Sequence, residues 1–144
     1  AALTEREDGM AFAISPGPDN RPVLLTQRDV RELQLAKGAI RSGIDLLLEH
    51  AQVDLAQLDE FVIAGGFGSY IDKANAMRLG MIPRLDPAKL TFIGNGALAG
   101  ARLALVSRAL RRRGEQTARQ AVHLQLAHTP DFQLRFSEAM LFEP

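Results

Sequence analysis

Phe61-Val62-Ile63-Ala64-Gly65-Gly66-Phe67-Gly68-Ser69-Tyr70 is the stretch on which the fold turns. Four apolar residues end in a glycine cluster, the pattern of a short strand buried on both faces, as in sheets covered by helices. In open α/β sheets ligands sit at such strand ends. Glycines there let the backbone adopt positive φ and come close to a ligand, with free N–H groups facing phosphate or ribose oxygens. A tight turn without a ligand is the plainer alternative. The spacing matches neither the GxGxxG dinucleotide fingerprint nor the P-loop, so neither site is supported.

On the C-terminal side, Asp72 is placed to cap a short helix through Leu79, stopped by Gly80 and Pro83. Leu90 to Ile93 reads as a second strand. It leads through Gly94-Asn95-Gly96-Ala97-Leu98-Ala99-Gly100-Ala101 into an alanine- and leucine-rich helix expected to end at Arg111-Arg112-Arg113-Gly114. Small residues at the start of that helix suit close packing, with Asn95 as the cap, or an anion at the free amides. The three arginines complement a helix C-terminus in a solvated position, in preference to binding phosphate. Val122 to Leu126 alternates with period two, predicting a half-exposed strand. Thr129-Pro130 then predicts the cap and first residue of a last helix over about 131–141.

On the N-terminal side, Met10 to Ser15 and Val23 to Leu25 predict two strands joined by the turn-rich segment 16–22. Thr26-Gln27-Arg28-Asp29 has the hydroxyl-to-carboxylate spacing of a capping box. Val30, Leu33, Ile40, Ile44, Leu47 and Leu48 then recur at helical spacing as far as about His50. Lys37 falls inside that apolar stripe, where an ammonium either snorkels past the helix or lines a polar cleft. Helix, strand, helix, strand, helix in the centre of the chain predicts an α/β layered domain.

With 144 residues, 47% of them hydrophobic, the chain has the content of one globular domain with a core. Seventeen basic residues balance seventeen acidic ones, so no long-range field gathers nucleic acid and no basic face argues for a membrane surface. No cysteine is present, which excludes disulfides, a thiol nucleophile and a cysteine-ligated cluster within these residues. His50, His123 and His128 lack metal-ligand spacing, and no metal site is expected. Neither a membrane span nor a signal peptide is visible, which makes the cytoplasm the expected compartment. The start at Ala1-Ala2 without Met, followed by polar and acidic residues from Thr4 to Asp8, is read as a piece of a longer protein.

The residues from Leu25 to Lys37, from Ile63 to Asp72, from Gly94 to Arg102 and from Asp131 to Phe142 together resemble the reductive activators of corrinoid proteins, which contain iron and sulfur. The match runs in order over nearly the whole chain from about Val23 onward. Within the wider superfamily of acetate and sugar kinases, heat-shock chaperone ATPases and actin, the first glycine segment looks like the adenosine motif and the second like the connecting helix after it. The fold this implies is α/β, part of an actin-like (ribonuclease H-like) ATPase lobe with a mixed sheet packed with helices. Residues 1–144 would form a single domain, the C-terminal subdomain of the ATP-binding domain.

The resemblance further implies that Gly65, Gly66, Phe67 and Gly68 border adenosine, that Gln34 and Lys37 lie on the helix used against the base, and that Asn95 stands at the second junction of the site. Gly96 replaces an alanine expected in the family. ATP with Mg2+ would serve the parent protein, whose iron-sulfur cluster belongs to an N-terminal part outside this chain. Its function would be to return cobalt(II) corrinoid proteins to cobalt(I). The implied partners are a corrinoid protein or corrinoid-dependent methyltransferase, with room for a homodimer. No phosphate motif or metal-binding acid of the superfamily is found here. The catalytic residues are therefore unknown within the chain, and independent ATP hydrolysis is not expected. The competing readings are a lobe of a sugar-kinase-like or acyl-CoA dehydratase activase-type ATPase and a non-catalytic partner-binding module.

Overall fold

The computed structural model describes residues 3–6, 9–17, 19, 21–66 and 70–142. Strands β1 (Leu3–Arg6), β2 (Gly9–Ser15) and β3 (Val23–Thr26) form an antiparallel sheet in the order β1-β2-β3. Phe12 stands opposite both Leu3 and Leu25, and the register slips between Ala13 and Ser15. Pleating turns Ala11 and Ala13 inward near the following helix and leaves Met10, Phe12 and Ile14 exposed. The turn after β2 needs a glycine: Gly17 has φ +68°, and a side chain there would collide with the Arg21 carbonyl.

Thr26 opens α1 (Gln27–Ala51) with the expected capping box: the Asp29 N–H donates to Thr26 Oγ1 at 3.1 Å, and the Thr26 N–H donates to Asp29 Oδ2 at 2.8 Å. The helix ends at Gln52 in the left-handed conformation, φ 55°. After a 3-10 turn at Leu55–Gln57 comes β4 (Phe61–Ile63), then α2 (Lys73–Arg78), capped by Asp72 through the Asn75 N–H. A second 3-10 turn, Pro87–Lys89, leads to β5 (Leu90–Phe92), which pairs with β4 in parallel. The core forms on one face of this pair, where Ala76, Ile82 and Leu90 are buried among Phe61, Ile63, Ile71 and Phe92. Ile40 and Ile44 of α1 face the same apolar space, which encloses a cavity of about 200 Å³.

The other face of the pair is open. Val62 is 48% exposed, so within this chain β4 is covered on one side and not on both as expected. Three further expectations fail for physical reasons. The alanine-rich helix is two helices, α3 (Gly96–Val106) and α4 (Arg108–Gln120), because Ser107 adopts extended backbone (φ −140°, ψ 116°) and caps α4 through the Leu110 N–H. The three arginines therefore lie in the first half of α4, not at a helix C-terminus. Residues 121–125 form no strand and run into a 3-10 turn at Leu126–His128, since an alternating pattern without a partner strand has no ladder to join. The last helix, α5 (Phe132–Met140), starts one residue later than expected, with Asp131 at φ 63° in the N-cap position instead of Thr129. Strand β1, in a segment read as a polar start, completes the first sheet.

Helix α5 lies against α1. The approach depends on Gly38, where a Cβ would come within 2.8 Å of Met140 Cγ and 3.1 Å of the Phe136 carbonyl oxygen. Ser42, one turn further on, is buried and donates to the Gly38 carbonyl at 2.7 Å.

Candidate nucleotide site at the paired strand ends

Parallel pairing brings the carboxyl ends of β4 and β5 side by side, in the register Phe61↔Leu90, Val62↔Thr91, Ile63↔Phe92. The ladder continues past the strands: the Ile93 N–H donates to Ile63 O at 3.0 Å, and the Gly65 N–H donates to Gly94 O at 2.6 Å. The two glycine turns singled out in the sequence are thus joined backbone to backbone. Gly65 has φ +96° and Gly94 φ +60°, conformations that glycine reaches without a Cβ penalty. A Cβ built on Gly65, Gly66 or Gly94 would meet no described atom within 4 Å, so among the described residues nothing fills the space over the turns.

Asn95 and Gly96 complete the second turn. Asn95 Oδ1 accepts from the Leu98 N–H at 3.0 Å, which makes Asn95 the cap of α3. Gly96 packs against the first junction, since a Cβ there would lie 3.5 Å from Ala64 Cβ and 3.1 Å from Ile93 Cδ1. The structure therefore brings Gly65, Gly66, Gly94, Asn95 and Gly96 together. Phe67 and Gly68 lie outside the described residues. Gly94 was legible only as part of a motif; the signal that marks it is a glycine directly after a strand whose neighbour also ends in glycine.

Lys37 has a different setting. It is 3% exposed, so it does not snorkel into water. Its ammonium donates to the carbonyls of Ala139 at 2.6 Å and Leu141 at 2.5 Å, and it stands 5.6 Å from the centre of the Phe142 ring. These are the carbonyls at the end of α5, where orphan acceptors and the helix dipole favour a cation. Lys37 lines a cleft of about 690 Å³ between α1 and α5, whose walls include neither glycine turn. Arg41 and Asp45, one and two turns on from Lys37, share that wall and pair with each other at 2.9 Å. Sequence reasoning passed over both, although the spacing 37, 41, 45 puts them on one helix face. Gln34, one turn before Gly38, is half-buried.

Titration adds one detail. The carboxyl of Asp29 is held below its ordinary range by the hydrogen bonds from the Thr26 hydroxyl and backbone. Among the described residues no group of three His, Asp or Glu could hold a metal ion, and none of their helices is long and apolar enough to cross a membrane.

All 144 residues match a family described as the C-terminal domain of RACo, the ASKHA domain. The corrinoid activation enzyme RamQ of Eubacterium limosum is 41% identical over 115 residues, covering 80% of this chain and 19% of that protein. A Co(II) methylated amine-specific corrinoid protein reductase of Methanosarcina barkeri is 35% identical over 78 residues, 54% of this chain and 14% of that protein. The solved structure of a reductive activator for corrinoid, iron-sulfur protein superposes with a TM-score of 0.82 at 33% identity, over 96% of this chain and 22% of that one. The chain thus spans about a fifth of the length of RamQ. It belongs to the RACo C-terminal family and has the actin-like ASKHA fold that the resemblance of its four segments implied.

Proposed function

We propose that this chain forms the adenosine-side wall of the ATP site in a reductive activator that returns cobalt(II) corrinoid proteins to cobalt(I). The observation that carries the reading is the hydrogen bond joining the Gly65 and Gly94 turns at the ends of parallel strands, with no described atom filling the space above either. Such a strand-end crevice is where α/β sheets hold nucleotides. Gly65 and Gly66 would border the adenosine, with Phe67 and Gly68 continuing the turn. Bound ATP would supply the free energy for an uphill electron transfer. The names of the relatives support the corrinoid partner. With no cysteine in this chain, the cluster that delivers electrons belongs to the rest of the parent protein. The Mg2+ site and the phosphate-gripping groups belong there too.

In the intact parent, Gly66→Val would place a branched side chain in the space proposed for the adenosine. ATP affinity should fall at least about tenfold, or ~1.4 kcal/mol. Unchanged affinity in a folded variant overturns the adenosine wall. The purified chain should fold without hydrolysing ATP, because phosphoryl transfer needs a metal and phosphate-positioning groups. Metal-dependent hydrolysis by the fragment would contradict this. Activity is read from the absorption spectrum of a cobalt(II) corrinoid protein mixed with parent, electron donor and ATP. A parent that phosphorylates a small molecule and leaves the cobalt unreduced is a kinase.

A further inference from the structure

The chain carries fourteen arginines and three lysines, and each lysine is bonded to the main chain. Lys37 donates to the carbonyls at the end of α5, Lys89 to the Leu58 carbonyl at 2.5 Å and the Ala56 carbonyl at 3.3 Å, and Lys73 to the Leu90 carbonyl. Their chemistry suits the task. An ammonium is a compact donor on a flexible stem and can close on a single carbonyl, whereas the planar guanidinium suits the paired oxygens of a carboxylate, as Arg41 does on Asp45.

Lys73 differs from the other two in where it stands. It is the first residue of α2 and half-buried, at the positive end of the dipole, where a cation is disfavoured. From there its ammonium reaches β5, donating to the Leu90 carbonyl and lying 5.5 Å from the centre of the Phe92 ring. The same stretch of chain receives the glycine turn, since the Gly65 N–H donates to the Gly94 carbonyl. The passage from β4 to α2 is therefore tied to residues 90–94 twice, at Gly65 by the main chain and at Lys73 by an ammonium. Asp72 sets the start of α2 through the Asn75 N–H at 2.8 Å, while Ile71 and Met77 pack against the core. A turn tied at one end can pivot there. A second tie removes that freedom.

We propose that Lys73 is a positioning residue for nucleotide binding: it anchors to β5 the exit of the turn that starts at Gly65, and so holds the Gly65 and Gly66 backbone in the orientation that receives adenosine. This rests on the adenosine wall proposed above. Preorganisation lowers the ordering cost of binding, so its loss is read in affinity and not in the chemical step.

The test uses the full-length parent with Lys73→Met, which keeps an apolar stem and removes the donor. Lys89→Met is the control, because Lys89 has similar burial and the same kind of acceptors but ties the residues before β4, away from the glycine turns. Lys73→Met should weaken ATP binding and raise the KM for ATP at least about threefold, with kcat at saturating ATP as in wild type. Lys89→Met should lower the urea midpoint and leave ATP affinity unchanged. Lys73→Arg, which retains a cationic donor, should bind ATP more tightly than Lys73→Met. Equal ATP affinity in wild type and Lys73→Met overturns the proposal. So does an equal loss of affinity in Lys73→Met and Lys89→Met, which would reduce Lys73 to a general support of the fold. If Lys73→Met does not fold, Lys73→Gln takes its place in the same titration, and wild-type affinity there overturns the proposal as well. A wild-type parent that binds no ATP, or a Gly66→Val variant that binds it normally, would sink the adenosine wall itself, an outcome distinct from a normal result confined to Lys73.

Discussion

The α1–α5 pair and the α3–α4 pair are both helices lying against each other, yet they bury very different things. Helix α1 is the more polar, and it places Lys37, Gly38, Ser42, Gly43 and Leu46 out of water. Helix α3 has one charged residue in eleven and buries none. Apolar composition alone does not make a core: burial needs a surface shaped to receive it. Glycine and serine on α1 let α5 come close enough to seal a charge, whereas Leu98, Leu103 and Leu105 of α3 stay more than half exposed among the described residues.

Truncating a leucine in each half should expose this contrast most strongly. Leu46, 4% exposed on α1, should lose about 3 kcal/mol as Leu46→Ala, while Leu105→Ala on α3 should lose less than about 0.5 kcal/mol. Urea midpoints of the isolated chain measure both. Equal losses would erase the distinction between the two halves.

Lys37→Met is expected to destabilise by about 2 kcal/mol, because the methionine leaves the Ala139 and Leu141 carbonyls without their charged donor. A neutral or stabilising result would mean that desolvation of the ammonium outweighs its hydrogen bonds. Glycine substitutions sharpen the comparison further, since their signs should differ. Gly38→Ala pushes against Phe136 and Met140 and should lose about 1 kcal/mol, whereas Gly100→Ala, with open space around it, should gain about 0.5 kcal/mol through helix propensity. Shared sign would show that α5 yields where the structure makes it tight.

The smallest effect is a matter of pH. Asp29 has a lowered folded-state pKa, so its contribution is present above the ordinary carboxylate value and is lost as pH falls through the folded value. Asp29→Asn should flatten the acid limb of stability as pH falls through and below the ordinary Asp value of about 3.9. An acid limb as steep as that of wild type would assign the acid sensitivity to other carboxylates.

Local signals were legible where a side chain acts on its own neighbourhood. Thr26 with Asp29, Asp72 with Asn75, and Asn95 with Leu98 each close a cap within three residues, so the starts of α1, α2 and α3 could be read directly. The glycine turns were legible for the same reason, but their joining through Gly65 and Gly94 depends on two strands separated by 26 residues being in parallel register. Ser107 was missed because the residues on both sides favour helix, and only its extended backbone reveals the break. The alternation in Val122 to Leu126 is real but without a partner strand. Lys37 could be placed in an apolar stripe from spacing alone; its acceptors could not, because nothing local points to Ala139 and Leu141.

Those acceptors lie 102 and 104 positions along the chain from Lys37. During synthesis at about 5–20 residues per second, α1 therefore leaves the ribosome about 5–20 s before the carbonyls that accept the hydrogen bonds of its central charge. For that interval Lys37 keeps one face of the helix wet, which discourages premature burial and leaves the seat of α5 vacant. The last step in assembling this half is thus written into the middle of its first helix: a lysine that waits for the C-terminal helix and then locks it in place.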